Sequence, residues 1–159
     1  MAKRLIILAA ALIAMTSARA TPLPVQEDLA IIVNKSNTVD NLSLADLRKI
    51  FLAERTRWPN GRKVTIVMRE QGRAERAAAL RLIYRMREQE FNRYFLNIKF
   101  TGETLEEPKL LSSVDGMLKF VFNVPGAIGY VRASEVDSSV KVLRIEGLAP
   151  GQPGYKLKL

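Results

Sequence analysis

The chain has 159 residues, no cysteine, no histidine and a formal net charge of +9. The two missing residue types exclude a disulfide framework, zinc held by His or Cys, and every Ser-His-Asp or Cys-His nucleophile pair. The basic balance suits anionic partners, such as phosphate-like ligands or anionic lipid, or else plain solubility, and carries no information on fold.

In chain order, the first segment reads as an export signal. Lys3 and Arg4 form a short positive region, Leu5 to Met15 is an apolar run, and Ala18-Arg19-Ala20 places small residues at −3 and −1 of a cleavage site. The run is shorter than the roughly 20 apolar residues a membrane span needs. Residues 1–20 are therefore expected to be a cleaved signal peptide, and residues 21–159 a single domain. Cleavage would lower the basic residues from 25 to 22 against 16 acidic ones, a balance of +6. A domain of this size can build its own core without disulfide staples.

Thr21 to Asp28 reads as an extended lead-in, and Leu29 to Val33 as a strand buried on both faces. Asn34 to Asn41 is turn-like. Ser43 then caps a helix whose apolar stripe is Leu44, Leu47, Ile50 and Phe51, with Asp46 set favourably near the positive end of the helix dipole. Trp58-Pro59-Asn60-Gly61 is turn chemistry, with Trp58 packed at the turn or in the core, and Val64 to Met68 is a second buried strand. Gly72 leads into the longest helix, about Arg73 to Gln89, with an apolar face from Ala74, Ala77, Ala78, Ile83 and Met86. Arg73, Arg76, Arg81, Arg85 and Arg87 decorate the rest. Arg81 and Arg85 form a solvated face with Glu88 or Gln89 in reach one turn on.

A further helical stretch, Phe91 to Leu96, follows a bend, and Thr101 to Pro108 is a loop. Ser112 or Ser113 starts a helix through Phe122 that turns Val114, Leu118, Val121 and Phe122 inward. Ala127 to Val131 is a strand carrying a glycine, Val140 to Ile145 a last strand, and Pro150 to Gly154 an irregular tail. Tyr84, Tyr94 and Tyr130 are packing residues with hydrogen-bonded tips. Strands alternating with helices give the fold class α/β, a three-layer α/β/α sandwich.

In open α/β sheets ligands gather at the carboxyl ends of strands, where helix N-termini point. The junction Met68-Arg69-Glu70-Gln71-Gly72-Arg73-Ala74-Glu75 runs from a strand end through glycine into a helix start. The free N–H groups of a first turn attract anions, and guanidinium suits tetrahedral oxyanions through its paired donors. The candidate anion-binding residues are Arg69, Gly72, Arg73, Ala74 and Glu75. No paired-carboxylate motif stands out, so catalytic residues, a metal site and cofactors are not expected, and an enzyme is disfavoured. The apolar face of the basic helix is needed by the sheet, which disfavours a nucleic-acid or membrane surface.

Three separated segments resemble one family. Leu42 to Leu52, followed by Trp58 and Gly61, is similar to a stretch of the periplasmic phosphate-binding proteins of ABC transporters. Gly126-Ala127-Ile128-Gly129-Tyr130-Val131 resembles that family's strand of the same pattern, and Val64 to Arg69 its strand ending in arginine. The resemblance implies a type II periplasmic-binding-protein fold, a periplasmic location, and non-catalytic binding or sensing of phosphate or a similar oxyanion for transport. The matched segments belong to the family's second, inserted lobe, so a single lobe is expected.

At the junction the family reads Arg, any residue, Asp, Gly, Ser, Gly, Thr. Here Arg69 and Gly72 are kept, while Arg73, Ala74 and Glu75 stand in place of Ser, Gly and Thr. Glu75 can accept from its own helix's N–H groups, whereas Arg73 is unfavourable against the dipole by about 0.3–1 kcal/mol unless an anion is present. A self-satisfied helix start and a remodelled anion site both remain open. The alternative function is an envelope interaction module that has lost its solute and binds an envelope or membrane protein.

Overall fold

The computed structural model describes residues 27–101 and 106–159. The expected signal peptide and most of the lead-in lie outside the described residues.

All five residues of β1 (Leu29–Val33) are fully buried, as a branched apolar run requires when both faces of a strand are covered. Its neighbours are β5 (Ala127–Arg132) and β6 (Lys141–Val142), both antiparallel to it. Beyond β5 lie β3 (Thr65–Arg69) and the edge strand β4 (Lys109–Leu111), paired in parallel. The sheet is thus mixed, in the order β4-β3-β5-β1-β6. A separate two-stranded parallel pair joins β2 (Asn41–Leu42) to β7 (Arg144–Ile145).

Alternation along the strands sends side chains to two cores. Leu29, Ile31, Val33, Ile66, Met68, Ile128 and Tyr130 belong to a core shared with α1 (Leu44–Phe51), α2 (Ala74–Ala79), the π-helical turn 80–84, and α3 (Glu88–Phe100). Phe51, Tyr84, Phe91 and Phe95 pack there, mostly edge to face, at centroid distances of 4.7–6.4 Å. Ile32, Val67, Ala127 and Val131 pack instead on Met117, Leu118 and Val121 of α4 (Val114–Asn123). Helices on both faces make the expected three-layer α/β/α sandwich.

Both expected helix caps form. The Asp46 N–H donates to Ser43 Oγ at 3.0 Å, and the Gly116 N–H to Ser113 Oγ at 3.0 Å. Ser43→Ala is expected to cost about 1 kcal/mol, read as a lower urea midpoint at unchanged slope. The Trp58 turn and the Gly126 strand meet directly: Trp58 Nε1 donates to the Gly126 carbonyl at 2.9 Å, and the Thr65 N–H to the same oxygen at 3.0 Å.

Four expectations need correction. The helix expected over 73–89 ends at the π-helical turn, and Arg85 takes a left-handed φ of 54° that closes it. The extra residue per turn shifts the side-chain phase, which a 3.6-residue pattern does not register. The longest helix is α3, begun by a capping box in which the Arg87 N–H donates to Glu90 Oε2 at 2.8 Å. The strand expected over 140–145 is split between two sheets at Leu143, whose N–H donates to the Ile31 carbonyl at 2.9 Å. Phe122 is 55% exposed, because Met117 and not Phe122 completes the inward stripe with Leu118 and Val121. Finally, Arg76 is buried, not surface decoration. Elements not anticipated include the short strands β2 and β4, the 3-10 turn Ala133–Glu135, and the segment after the tail, where Tyr155 and Leu157 are buried beside β1.

Candidate functional site

Arg69 is the last residue of β3 and only 5% exposed. Its backbone is held on both sides: the N–H donates to Tyr130 Oη at 3.2 Å, and the carbonyl accepts from Arg76 Nη1 at 3.0 Å. Its guanidinium is not so served. Nε and Nη1 are buried without a hydrogen-bond partner. Leaving a buried charged donor unpaired carries a large desolvation cost, so such a group calls for an acceptor.

The chain then turns at Gly72, whose φ of +86° favours glycine. Arg73 is the extended residue before α2; its side chain makes no cap, and it is exposed, as is Ala74. Gly72, Arg73 and Ala74 line the rim of an open groove of about 870 Å³, over Ala77, Leu80 and Met86. Arg69 is not among the groove's lining residues. The candidate residues therefore divide into a buried pair, Arg69 and Glu75, and an exposed rim.

Glu75 is 6% exposed, and its Oε1 accepts from Arg132 Nε at 2.5 Å. Burial raises its carboxyl, but the Arg132 bond, its own backbone N–H, and the charges of Arg132 and Arg69 together hold it below the ordinary 4.5. Glu75 is ionised and engaged with an arginine at the end of β5. That Arg132 was missed in the sequence reading. It directly follows the Gly-Ala-Ile-Gly-Tyr-Val strand, and the parallel register of β3 and β5, with Thr65 opposite Ala127 and Ile66 opposite Ile128, brings the carboxyl ends of both strands together. Arg132 is fixed from its other side by Glu27, Nη1 to Oε2 at 2.8 Å, and Glu27 also accepts from Ser134 Oγ.

Arg76 closes the neighbourhood from below. Its guanidinium reaches Glu88 through Nε and Nη2 at 2.5–3.1 Å and lies 5.0 Å over the Phe91 ring. Burial lowers its pKa, and Glu88 more than restores it. Glu88 thus serves Arg76 and not Arg81 or Arg85; Arg81 Nη2 instead donates to the Lys158 carbonyl at 3.2 Å. Among the described residues there is no cluster of three His, Cys, Asp or Glu side chains that could hold a metal, and no helix long and apolar enough to cross a membrane.

The depressed Glu75 carboxyl has a consequence for acid stability. A group whose folded pKa lies below its unfolded value stabilises the fold above the unfolded value and loses that contribution as pH falls through the folded one. Stability is therefore expected to fall as pH drops below about 4.5, and Glu75→Gln to flatten that part of the profile, measured by urea unfolding at stepped pH.

The layering and the mixed sheet are those of an α/β domain with helices on both faces. No family model matches the sequence. Solved structures do share the fold. An ABC-type phosphate transport receptor from Vibrio cholerae superposes with a TM-score of 0.68 at 24% identity, over 83% of this chain and 53% of that one. A putative phosphate ABC transporter substrate-binding protein with bound phosphate from Clostridium perfringens gives 0.62 at 24% identity, over 77% and 46%. PstS from Borrelia burgdorferi gives 0.63 at 16%, over 83% and 54%. The chain spans about half the length of these proteins.

Proposed function

We propose that this protein is an exported, periplasmic solute-binding or sensing protein that takes phosphate or a similar oxyanion without catalysis. The observation that carries the reading is the Arg69 guanidinium, buried with Nε and Nη1 unpartnered beside the Gly72 turn. A tetrahedral oxyanion accepts such paired donors well. The Arg73 side chain, exposed just beyond the same Gly72 turn, is the second candidate donor. The names of the structural neighbours support phosphate as the first solute to test. In this reading the anion is held either by this domain alone or between two copies. Isothermal titration with phosphate and with sulfate tests the reading. Heat at or below millimolar anion, absent in Arg69→Ala, supports it; no heat from the wild-type chain removes it.

A second reading, an envelope module that docks a protein partner, is favoured by the exposed side chains Leu96, Phe100 and Leu110 on α3 and β4. It predicts that a photo-crosslinker at position 110 captures one defined envelope or membrane protein in cells, while one at Phe122, across the sheet, captures none.

A further inference from the structure

We infer that Arg132 is a positioning residue for the anion site: by holding the Glu75 carboxylate it keeps the Arg69 guanidinium open to an oxyanion. This rests on the oxyanion reading above and concerns how the same site is kept accessible to its ligand.

Arg69 and Glu75 flank one glycine turn, and both are buried. Arg76, the residue after Glu75, donates to the Arg69 carbonyl at 3.0 Å, and the Arg69 charge acts on the Glu75 carboxyl. A carboxylate tethered six residues from an unpaired buried guanidinium is its natural counter-ion. A tethered group also competes at an effective concentration that reaches the millimolar range or above. Yet Arg69 Nε and Nη1 are unpartnered, and the Glu75 carboxylate sits on Arg132 at 2.5 Å.

Arg132 is built to win that competition. Its guanidinium is a fork: Nε takes Glu75, and Nη1 takes Glu27 at 2.8 Å. Glu27 is itself fixed by Ser134, two residues past Arg132. The planar fork is thereby oriented from both ends, which a lysine's single ammonium would not reproduce. Without Arg132, the cation that still acts on the Glu75 carboxyl is Arg69, and the carboxylate would occupy the anion's place.

The test is phosphate titration calorimetry on the wild-type chain, Arg132→Ala, Arg132→Lys, Glu75→Gln and the double variant Arg132→Ala/Glu75→Gln, with circular dichroism to confirm that each is folded. Arg132→Ala is expected to weaken phosphate binding about tenfold or more, given the tethered competitor. The double variant is expected to recover to within about threefold of wild type, and Arg132→Lys to fall between. A purely structural Arg132 would leave the double variant as weak as the single one, which overturns the inference. Unchanged affinity in Arg132→Ala overturns it too and leaves the oxyanion reading standing. Binding by Glu75→Gln with a silent wild type means that Glu75 already fills the site, and overturns both the inference and the oxyanion reading of the wild-type chain. Silence from all five chains overturns both. If Arg132→Ala does not fold, Glu27→Gln replaces it, with an expected loss of about threefold that Glu75→Gln again restores.

Discussion

Gly126→Ala is expected to destabilise the domain by about 3–5 kcal/mol and lower its melting temperature by about 10 °C or more. A Cβ built on Gly126 would lie 1.9 Å from the Lys63 carbonyl oxygen and 3.1 Å from its carbon. The obstacle is backbone, so no rotamer change relieves it, and the chain before β3 must move. That movement pulls on the Gly126 carbonyl, which accepts from both Thr65 N–H and Trp58 Nε1. Overpacking alone costs about 1–3 kcal/mol, and each weakened hydrogen bond adds about 1 kcal/mol. Gly129→Ala makes the contrast. Its Cβ would meet the far end of Met117 at 3.0 Å and the Val67 carbonyl at 3.3 Å, a flexible neighbour and a tolerable contact, so a loss of about 1 kcal/mol is expected. Thermal unfolding of both variants by circular dichroism decides the matter; similar shifts in the two would refute the backbone-clash argument. The effect reaches the site as well, because β3 and β5 end on Arg69 and Arg132.

Gly126 also shows what kind of information the sequence held openly. Wherever structure is set by neighbours within a few residues, the pattern was readable: the apolar run of β1, the Ser43 and Ser113 caps, the Gly72 turn. The order β4-β3-β5-β1-β6 with its mixed directions was not, because pairing direction depends on partners distant in the chain. The phase slip of the 80–84 turn was hidden for a different reason: Leu80, Ile83 and Tyr84 suit a regular helix and a π-helical turn equally well. At the site, Arg69 and Gly72 were legible because a strand end, a glycine and a helix start follow one another directly. The partner of Glu75 was not, since Arg132 lies 57 residues on and meets it only through the β3–β5 register. The burial of Arg76 was equally invisible, because it depends on Glu88 arriving from the far side of a break that a continuous helix would not contain. Of the two readings left open for Glu75, neither describes its carboxylate fully: its own backbone N–H contributes, but the main partner is a side chain on another strand.

Arg69→Met is expected to abolish the response to phosphate while leaving the anion-free protein at least as stable as wild type. The two halves of this expectation come from one fact. Arg69 is buried with Nε and Nη1 unpartnered, so without an anion its charge is a cost that the rest of the fold offsets. Replacing buried charged groups with apolar side chains of similar length is often neutral or stabilising, by up to about 1–4 kcal/mol. The lower end applies here, because the Arg69 charge also helps keep Glu75 ionised. Methionine suits the test since its flexible thioether fills the space that alanine would leave as a cavity. Wild type at 100-fold phosphate over Kd should gain about 2.7 kcal/mol, a rise of roughly 8 °C for a domain of this size, and Arg69→Met should gain nothing. Melting both proteins with and without phosphate separates the possibilities. A variant that is stable and unresponsive fits an arginine kept at the expense of stability for the sake of a ligand. A variant that is stable and still responsive would move the anion to Arg73 and the exposed rim. A variant that loses several kcal/mol without phosphate would mean that the Arg69 guanidinium supports the fold itself, and the case for an oxyanion site at the end of β3 would fall with it.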